Sequence, residues 1–396
     1  MDKSIRLLIV EDDEHETKTW KLQIDQHNVL AAESNGFTLR ETFVSTKKGA
    51  IDLIANSDFD AAIVDLGLAT GGNHKEANSD GNDVVEALEK SELAIVIIYT
   101  GQPGDAISKE KRGPEVVVIE KLEDGDGSKK VLAQLTASAP MILTIRAAEE
   151  TIKSEMAALF SKSIWPRWKF WLDKKVDPDA IVTEAVTRHM ASHVYAALLA
   201  KNGQKALSEE WYFVPPVRQG LRTGDLVDIS EYTNQPSSVG IVITPRCDLA
   251  DNPGSNKETY QIAVCEDISA DWNDRYGKYS ATQAEKPKED ANKEAVQKWE
   301  EKLKSTKNSL GSLIQHRSKS NCHFLHQMRL TDGSFRGPYF VRFDKIMTIE
   351  RQSENGKKLA ESKPFASVAP EFLPSLVERL GTYFSRIGTP DFSFFE

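Results

Sequence analysis

The stretch Phe59-Asp60-Ala61-Ala62-Ile63-Val64-Asp65 is an apolar run that ends on an acid, and it decides the fold of the first third of the chain. Three similar runs, at 6–10, 94–99 and 115–120, also end on polar residues. Stretches of helical period lie between the runs, such as 81–93. Short apolar strands that alternate with helices predict a parallel sheet with helices on both faces.

Polar side chains are expected to meet at one edge of this sheet, because ligand sites in doubly wound sheets lie outside the carboxyl ends of the strands. An acid, a threonine or a lysine at a strand end is, taken singly, most often a turn or cap residue. The ordered set is a more specific signal than any member. Its members are Glu11, Asp12, Asp65, Thr100 and Lys121.

Residues 4–137 resemble the receiver domain of two-component response regulators. The resemblance implies a flavodoxin-like, doubly wound five-stranded parallel sheet over 1–137, with Asp65 as the aspartate that a histidine kinase or a phosphotransfer protein phosphorylates. It also implies that the domain catalyses its own phosphorylation and dephosphorylation. The other matches are Glu11 and Asp12 to the acidic pair, Thr100 to the hydroxyl residue, Lys121 to the signature lysine, and Asp80-Gly81 to the Asp-Gly that opens the third helix.

Mg²⁺ is the expected cofactor, because clustered carboxylates repel a phosphoryl group unless a cation lies among them. Lys121 would supply a fixed ammonium, and the Thr100 hydroxyl would move toward the acyl phosphate as the switch. The predicted metal ligands are Asp12, Asp65 and the backbone carbonyl of Gly67, with Glu11 acting through water.

Three features depart from ordinary receivers. The loop 66–79 is long and polar and lacks the usual proline, so it is predicted to be a flap over the site. Leu122 follows Lys121 where receivers carry a proline, and Val118 stands where many carry a switching aromatic residue. Signal transmission through an aromatic rotamer is therefore not expected.

Composition supports two or three domains in a cytoplasmic protein. The chain has 396 residues, 40% of them hydrophobic, and a net charge of −10. Residues 1–130 hold 26 acidic and 15 basic residues, so the excess charge belongs to the receiver and the remainder is close to neutral. No basic stripe favours strong nucleic-acid binding, and no signal peptide or membrane span is expected. The three cysteines are expected to be reduced.

Residues 138–205 are predicted to form a helical linker, with a break at Trp165-Pro166 and a second helix from about Asp177. Two uses of its apolar stripes stay open: packing on a neighbouring part of the chain, or pairing with a second copy as a homodimer. His189 and His193 lie four residues apart, which would suit a metal, although helix-surface histidines without such a role are the commoner case.

Residues 206–396 read as short strands of a mainly-β small barrel with a charged helix inserted at about 285–308. The strands resemble the PemK/MazF-like toxin barrel, in which an arginine and a hydroxyl cleave RNA; Arg246 and Thr244 are the residues that could do so here. An inert binding barrel is the alternative. The possible zinc ligands in this part are Cys247, His316, Cys322, His323 and His326.

Three functions therefore stay open from the sequence. The chain is a response regulator with an interaction domain as output, a receiver that controls a nuclease-like barrel, or a phosphate sink. The last two would also suit a bacterial anti-phage system. No helix-turn-helix is evident, which disfavours an ordinary transcription factor.

Overall fold

The computed structural model divides the chain into two compact units, Met1–Gly203 and Gln204–Glu396, each with its own hydrophobic core. The structure describes residues 3–34, 36–68, 74–106, 113–122, 126–172, 178–201, 206–216, 220–233, 238–249, 258–288, 292–315 and 320–385.

The helices of the described residues are α1 Glu14–Ser34, α2 Lys47–Asn56, α3 His74–Ser91, α4 Asp126–Leu159, α5 Trp168–Leu172, α6 Pro178–Lys201, α7 Ser230–Thr233, α8 Arg246–Leu249, α9 Ser269–Ala284, α10 Lys293–Ile314, α11 Glu354–Glu361 and α12 Leu373–Phe384. The strands are β1 Ser4–Val10, β2 Thr38–Val44, β3 Ala61–Val64, β4 Ile95–Thr100, β5 Val116–Glu120, β6 Tyr212–Phe213, β7 Asp225–Asp228, β8 Val239–Val242, β9 Thr259–Asp267, β10 Cys322–Leu325, β11 Met328–Arg329, β12 Phe335–Arg336, β13 Tyr339–Glu350 and β14 Ala366–Val368.

The first unit contains a five-stranded parallel sheet with the order β2-β1-β3-β4-β5. Every residue of β3 and β4 is buried, because helices cover both faces and continuous apolar runs are stable there. Trp20 and Ile24 of α1 pack on one face beside α4, while α2 and α3 pack on the other. This strand order is the flavodoxin-like one, so the predicted doubly wound fold is confirmed.

Two connections of this sheet differ from the prediction. α3 begins at His74, so Asp80-Gly81 lies inside the helix rather than at its start. Of the predicted flap 66–79, residues 69–73 lie outside the described part of the chain. Between β4 and β5 the described residues contain a 3₁₀ turn, Pro103–Asp105, instead of an α-helix, and Val118 on β5 is 42% exposed.

α4 runs without interruption from the predicted receiver into the predicted linker. Val131, Leu135 and Ile142 pack on the parallel sheet, so the predicted boundary at 137/138 falls inside one helix. Pro140 lies within this helix. Proline in a helix interior costs about 3 kcal/mol, which burial of neighbouring residues such as Ile142 helps to offset.

The predicted break at Trp165-Pro166 is a change of helix type. A π-helical turn, Phe160–Ile164, leads into a 3₁₀ turn, Trp165–Arg167, and helical structure continues through α5. α6 then packs against α4 of the same chain. The run Gly127–Trp171 is long and apolar enough to cross a membrane by length and composition, which was not expected, although its first half belongs to the receiver core.

The second unit contains a seven-stranded sheet with the order β10-β13-β9-β8-β7-β14-β6. Its strand pairs are antiparallel, and the register of β13 against β9 shifts between Arg342 and Ile346, which marks a bulge. The sheet is a half-barrel, since β10 and β6 are its two edges in the described residues. The predicted antiparallel barrel is thus present as a half-barrel, but the second unit has mixed α/β content rather than being mainly β, because α9, α10, α11 and α12 add long helical segments. α12 packs on this sheet through the buried Leu376.

The insertion between β9 and β10 is a pair of helices, not the single helix that was predicted. α10 covers 293–308 of the predicted 285–308 and continues to Ile314, and α9 ends at Ala284, just before the predicted range. The two are antiparallel, because the Trp299 indole donates to the Thr282 carbonyl at 2.8 Å while Arg275 donates to the Ser309 carbonyl at 2.9 Å.

Candidate functional site

A partly buried lysine joins two of the predicted acids at the carboxyl edge of the parallel sheet. The Nζ of Lys121 lies 2.8 Å from Oε2 of Glu11 and 2.8 Å from Oδ2 of Asp65. The exposed fractions of these side chains are 20% for Lys121, 3% for Glu11 and 12% for Asp65. Three segments that are distant in sequence thus meet at one point.

Backbone bonds fix the three residues in place, because each continues the sheet by one step beyond its strand. The amide of Glu11 donates to Val44 on β2, and the amide of Asp65 donates to Val10 on β1, at 3.0 and 2.9 Å. The amide of Lys121 donates to the carbonyl of Thr100 at 2.9 Å. Their side chains are therefore held by the sheet itself rather than by loops.

The acidic residues that follow β1 make different contacts. Asp13 caps α1, since its Oδ1 accepts the amides of His15 and Glu16 at 2.6 and 3.1 Å. Glu11 and Asp12 instead face Asp65, and one carboxylate oxygen of each of these three residues lies within 4.8 Å of the others. Among the described residues, this is the group of three possible metal ligands that the structure contains.

Burial and charge act in opposite directions on the ionisation of the site. Burial raises the pKa of Glu11 to about 7, against the lowering effect of Lys121, and Asp65 adds to the rise. Burial alone would lower the pKa of Lys121, but Asp65 and Glu11 outweigh it and raise the pKa above its usual value. The lysine is therefore a fixed cation, and Glu11 is the group that can exchange a proton near neutral pH.

Two further predicted residues, Thr100 and Gly67, lie at the same edge of the sheet. Thr100 is 2% exposed at the end of β4, and its hydroxyl accepts the amide of Gln102 at 3.2 Å. The amide of Gly67 donates to Oδ1 of Asp65 at 3.2 Å, which orients that carboxylate. The roles predicted for the Thr100 hydroxyl and the Gly67 carbonyl stay predictions.

Sequence reasoning did not identify the residues that position α3 beside the site. Lys47, in the first turn of α2, pairs with Asp80 at 3.1 Å and with Asp83 on α3. The Lys121 ammonium also lies over the ring of Tyr99, 5.5 Å from its centroid. No local pattern links Lys47 to residues more than 30 positions away, whereas Tyr99 directly precedes Thr100 and could have been included.

Gly81 allows α3 to approach Asp65 closely. A Cβ at this position would lie 2.5 Å from the carbonyl oxygen of Asp65 and 2.5 Å from Cα of Leu66, both of which are backbone atoms that cannot rotate away. The glycine therefore matters for the position of the site and not only for the helix.

Gly81→Ala is expected to lower the free energy of unfolding by about 1–3 kcal/mol, because the backbone of α3 must shift to accept the methyl group. Chemical denaturation of the full chain measures this. Gly104→Ala is the matched control, since a Cβ there meets nothing within 4 Å. Equal stability of the two variants would show that α3 does not approach the backbone of Asp65 this closely.

The two residues predicted to cleave RNA in the second unit, Arg246 and Thr244, are not joined by contacts like those of the first unit. The Thr244 hydroxyl accepts the amide of Gln261 at 2.7 Å and donates to its carbonyl at 3.4 Å, so it is occupied by backbone. Arg246 is exposed and lines a cavity of about 590 Å³ with Arg222 and Phe213. This arrangement does not favour the nuclease alternative.

The histidines and cysteines form no metal cluster among the described residues. Cys247 is exposed while Cys322 is buried. The rings of His189 and His193 lie edge to face with centroids 5.7 Å apart, and Trp171 packs on His189 at 5.4 Å, so these rings contact each other. His316 lies outside the described residues.

Comparison with known proteins finds relatives only among solved structures, since no family model and no curated protein matches the chain. A signal receiver domain from Vibrio parahaemolyticus is 23% identical and covers 36% of this chain and 97% of its own, with a TM-score of 0.26. A receiver domain from Methylobacillus flagellatus is 20% identical and covers 33% and 98%, with a TM-score of 0.22.

A third similar structure is the response regulator TrrA from Thermotoga maritima, solved in complex with Mg²⁺ and BeF. It is 16% identical and covers 33% of this chain and 98% of its own, with a TM-score of 0.23. The fold assignment follows from the strand order of the parallel sheet. The first unit thus has a flavodoxin-like fold. The solved structures to which it is similar include response-regulator receiver domains.

Proposed function

We propose that this chain is a cytoplasmic response regulator that accepts a phosphoryl group on Asp65 from a histidine kinase or a phosphotransfer protein. The observation that carries the proposal is the contact of one buried ammonium, Lys121, with both Asp65 and Glu11 at the carboxyl ends of the strands. Such a pair places a fixed positive charge where the oxygens of an incoming phosphoryl group must lie.

The acidic cluster fits Mg²⁺ in charge and in ligand type. When Glu11 is ionised, three carboxylates and one ammonium give a net charge of about −2, which a divalent cation neutralises. Mg²⁺ takes oxygen ligands, and Glu11, Asp12 and Asp65 can each offer a carboxylate oxygen that lies within 4.8 Å of the other two. When bound, the ion would offset the charge of the phosphoryl oxygens.

The chain's own residues would then position and stabilise the transfer. An Asp65 carboxylate oxygen forms the new O–P bond as the P–N bond to the donor imidazole breaks, and the imidazole nitrogen takes up a proton. Lys121 exchanges its contact with Oδ2 of Asp65 for one with a phosphoryl oxygen. Thr100, one strand away on β4, is the residue whose hydroxyl would turn to the phosphoryl group.

The second unit is the proposed output, an interaction domain whose state depends on phosphorylation. Its half-barrel and helical insertion offer a large surface, and its occupied Thr244 hydroxyl disfavours RNA cleavage. Incubating the full chain with acetyl phosphate and Mg²⁺, followed by mass spectrometry, tests the acceptor role directly. Absence of any phosphorylated species with either this donor or a cognate kinase would contradict the proposal.

Mg²⁺ is expected to bind about tenfold more weakly at about pH 6 than at about pH 8. The pKa of Glu11 is raised to about 7 in the metal-free protein, so its carboxyl is mostly protonated below that value and ionised above it. Isothermal titration calorimetry at the two pH values measures the ratio. Glu11→Gln is expected to remove most of this pH dependence of Mg²⁺ binding. An unchanged ratio of the two affinities in that variant would show that another group causes the pH dependence.

A further inference from the structure

The turn between α4 and α6 exposes large aromatic side chains. We call residues Phe160–Trp171 the aromatic tip. Phe160, Trp165, Trp168 and Phe170 are 48%, 66%, 38% and 54% exposed. Ile164 in the same segment is buried, so the tip is a packed structure. The exposure of its aromatic rings is therefore a property of the fold. Clustered exposed aromatic residues mark interaction surfaces in soluble proteins.

The tip is also basic, in a chain whose net charge is −10. Lys162, Arg167 and Lys169 are exposed, and within the described residues no carboxylate pairs with any of them. Lys169 instead lies over the ring of Phe170, 5.0 Å from its centroid. By sequence, 160–175 contains five basic residues and one acidic residue. The surface is therefore both apolar and positively charged.

Charge and shape decide between the possible occupants of this surface. A second copy of the tip would bring like charges together, which disfavours self-association. Single-stranded nucleic acid is usually bound in a positively charged groove, whereas the tip is the connection between two helices, α4 and α6, that pack against each other. Tryptophan and phenylalanine beside lysine and arginine are the combination that binds the interface of an anionic bilayer.

We propose that the aromatic tip binds an anionic membrane surface. This differs from the absence of membrane binding expected from composition, and it does not depend on phosphorylation of Asp65. The proposal concerns peripheral binding, with the aromatic rings at the level of the lipid headgroups and the cations near lipid phosphates. The first half of the run Gly127–Trp171 packs in the receiver core and is not available for insertion.

The fold leaves the acceptor site accessible while the tip is bound. α4 contacts the receiver at the amino ends of the strands: Arg146 donates to the carbonyl of Ser4 and lies 3.7 Å from Asp60, and Lys153 pairs with Asp58 at 2.6 Å. Asp65 lies at the opposite, carboxyl edge of the sheet. From Lys153 the helical run continues for about 10 Å to Phe160, where the tip begins, and this separates the bound surface from the receiver.

Flotation of the full chain with vesicles tests the proposal. We expect binding to vesicles of phosphatidylethanolamine and phosphatidylglycerol, and little binding to vesicles of phosphatidylcholine alone. The triple variant Lys162→Gln, Arg167→Gln, Lys169→Gln is expected to bind roughly 100-fold more weakly, at about fivefold for each basic residue. Trp165→Ala, at the most exposed of the four aromatic residues, is expected to bind about tenfold more weakly.

Phe335→Ala is the matched control, because this ring is 59% exposed in the second unit and lies outside the tip. It is expected to bind as the unchanged chain does, and high salt is expected to release the protein. No binding to anionic vesicles, or equal binding to neutral ones, would overturn the proposal. The proposal would also be overturned if the chain bound no vesicles but formed an oligomer, or a complex with single-stranded RNA, that Trp165→Ala abolishes.

Discussion

Asp65→Asn is expected to gain no phosphoryl group under conditions in which the unchanged chain gains one base-labile phosphoryl group from acetyl phosphate and Mg²⁺. A carboxamide oxygen is a poor nucleophile and cannot form a stable acyl phosphate, so the loss should be complete. The replacement keeps the size of the side chain. It also removes one negative charge from a cluster of three carboxylates, so the folded state should not be weakened by repulsion.

The matched control for this experiment is Asp83→Asn. Asp83 lies near the site on α3 and pairs with Lys47, outside the group formed by Glu11, Asp12 and Asp65. It should be phosphorylated as the unchanged chain is. Circular dichroism and thermal unfolding of both variants separate a chemical effect from misfolding. Labelling that persists in folded Asp65→Asn, or that maps to another residue, would show that Asp65 is not the acceptor.

The sequence was sufficient to predict the sheet and the meeting of its polar strand ends. Continuous apolar runs such as β4 can be stable only where both faces of a sheet are covered, and parallel strands deliver their ends to one edge. Glu11, Asp65 and Lys121 therefore had to be neighbours. Which atoms would touch could not be predicted, because the contact of Lys121 with Glu11 spans 110 positions and depends on side-chain rotamers.

The helices were harder to predict for separate physical reasons. Pro140 suggests a boundary by local rules, yet α4 continues through it because Ala139 and Ile142 are buried in the core. α9 was missed although Trp272, Tyr276 and Tyr279 recur at helical spacing, since polar residues and Gly277 interrupt the pattern. In both cases packing against the rest of the fold decided the outcome.

Lys121→Met is expected to lower the free energy of unfolding by about 3 kcal/mol in the presence of a chelator. Methionine keeps most of the length of the side chain but removes the ammonium, and Glu11 and Asp65 are then left near each other without a counter-charge. Removal of one partner from a buried ion pair is strongly destabilising, because the remaining charge has lost its water as well as its partner.

The loss of stability in Lys121→Met should depend on pH in a defined direction. Without Lys121 the pKa of Glu11 should rise further above its value of about 7, so at about pH 6 Glu11 takes up a proton and the repulsion falls. The destabilisation is therefore expected to be smaller at about pH 6 than at about pH 8, where folding must keep both carboxylates ionised. Mg²⁺ should restore part of the stability at the higher pH, because it replaces the missing positive charge.

Lys129→Met is the matched control, since Lys129 is an exposed lysine on α4. It should unfold as the unchanged chain does at both pH values. If Lys121→Met were as stable as the unchanged chain in the presence of a chelator, Lys121 would be solvated. Its contacts with both acids would then contribute little to stability. Phosphorylation of folded Lys121→Met should also be slower, even in saturating Mg²⁺, because the variant lacks the ammonium that the proposed transfer places against a phosphoryl oxygen.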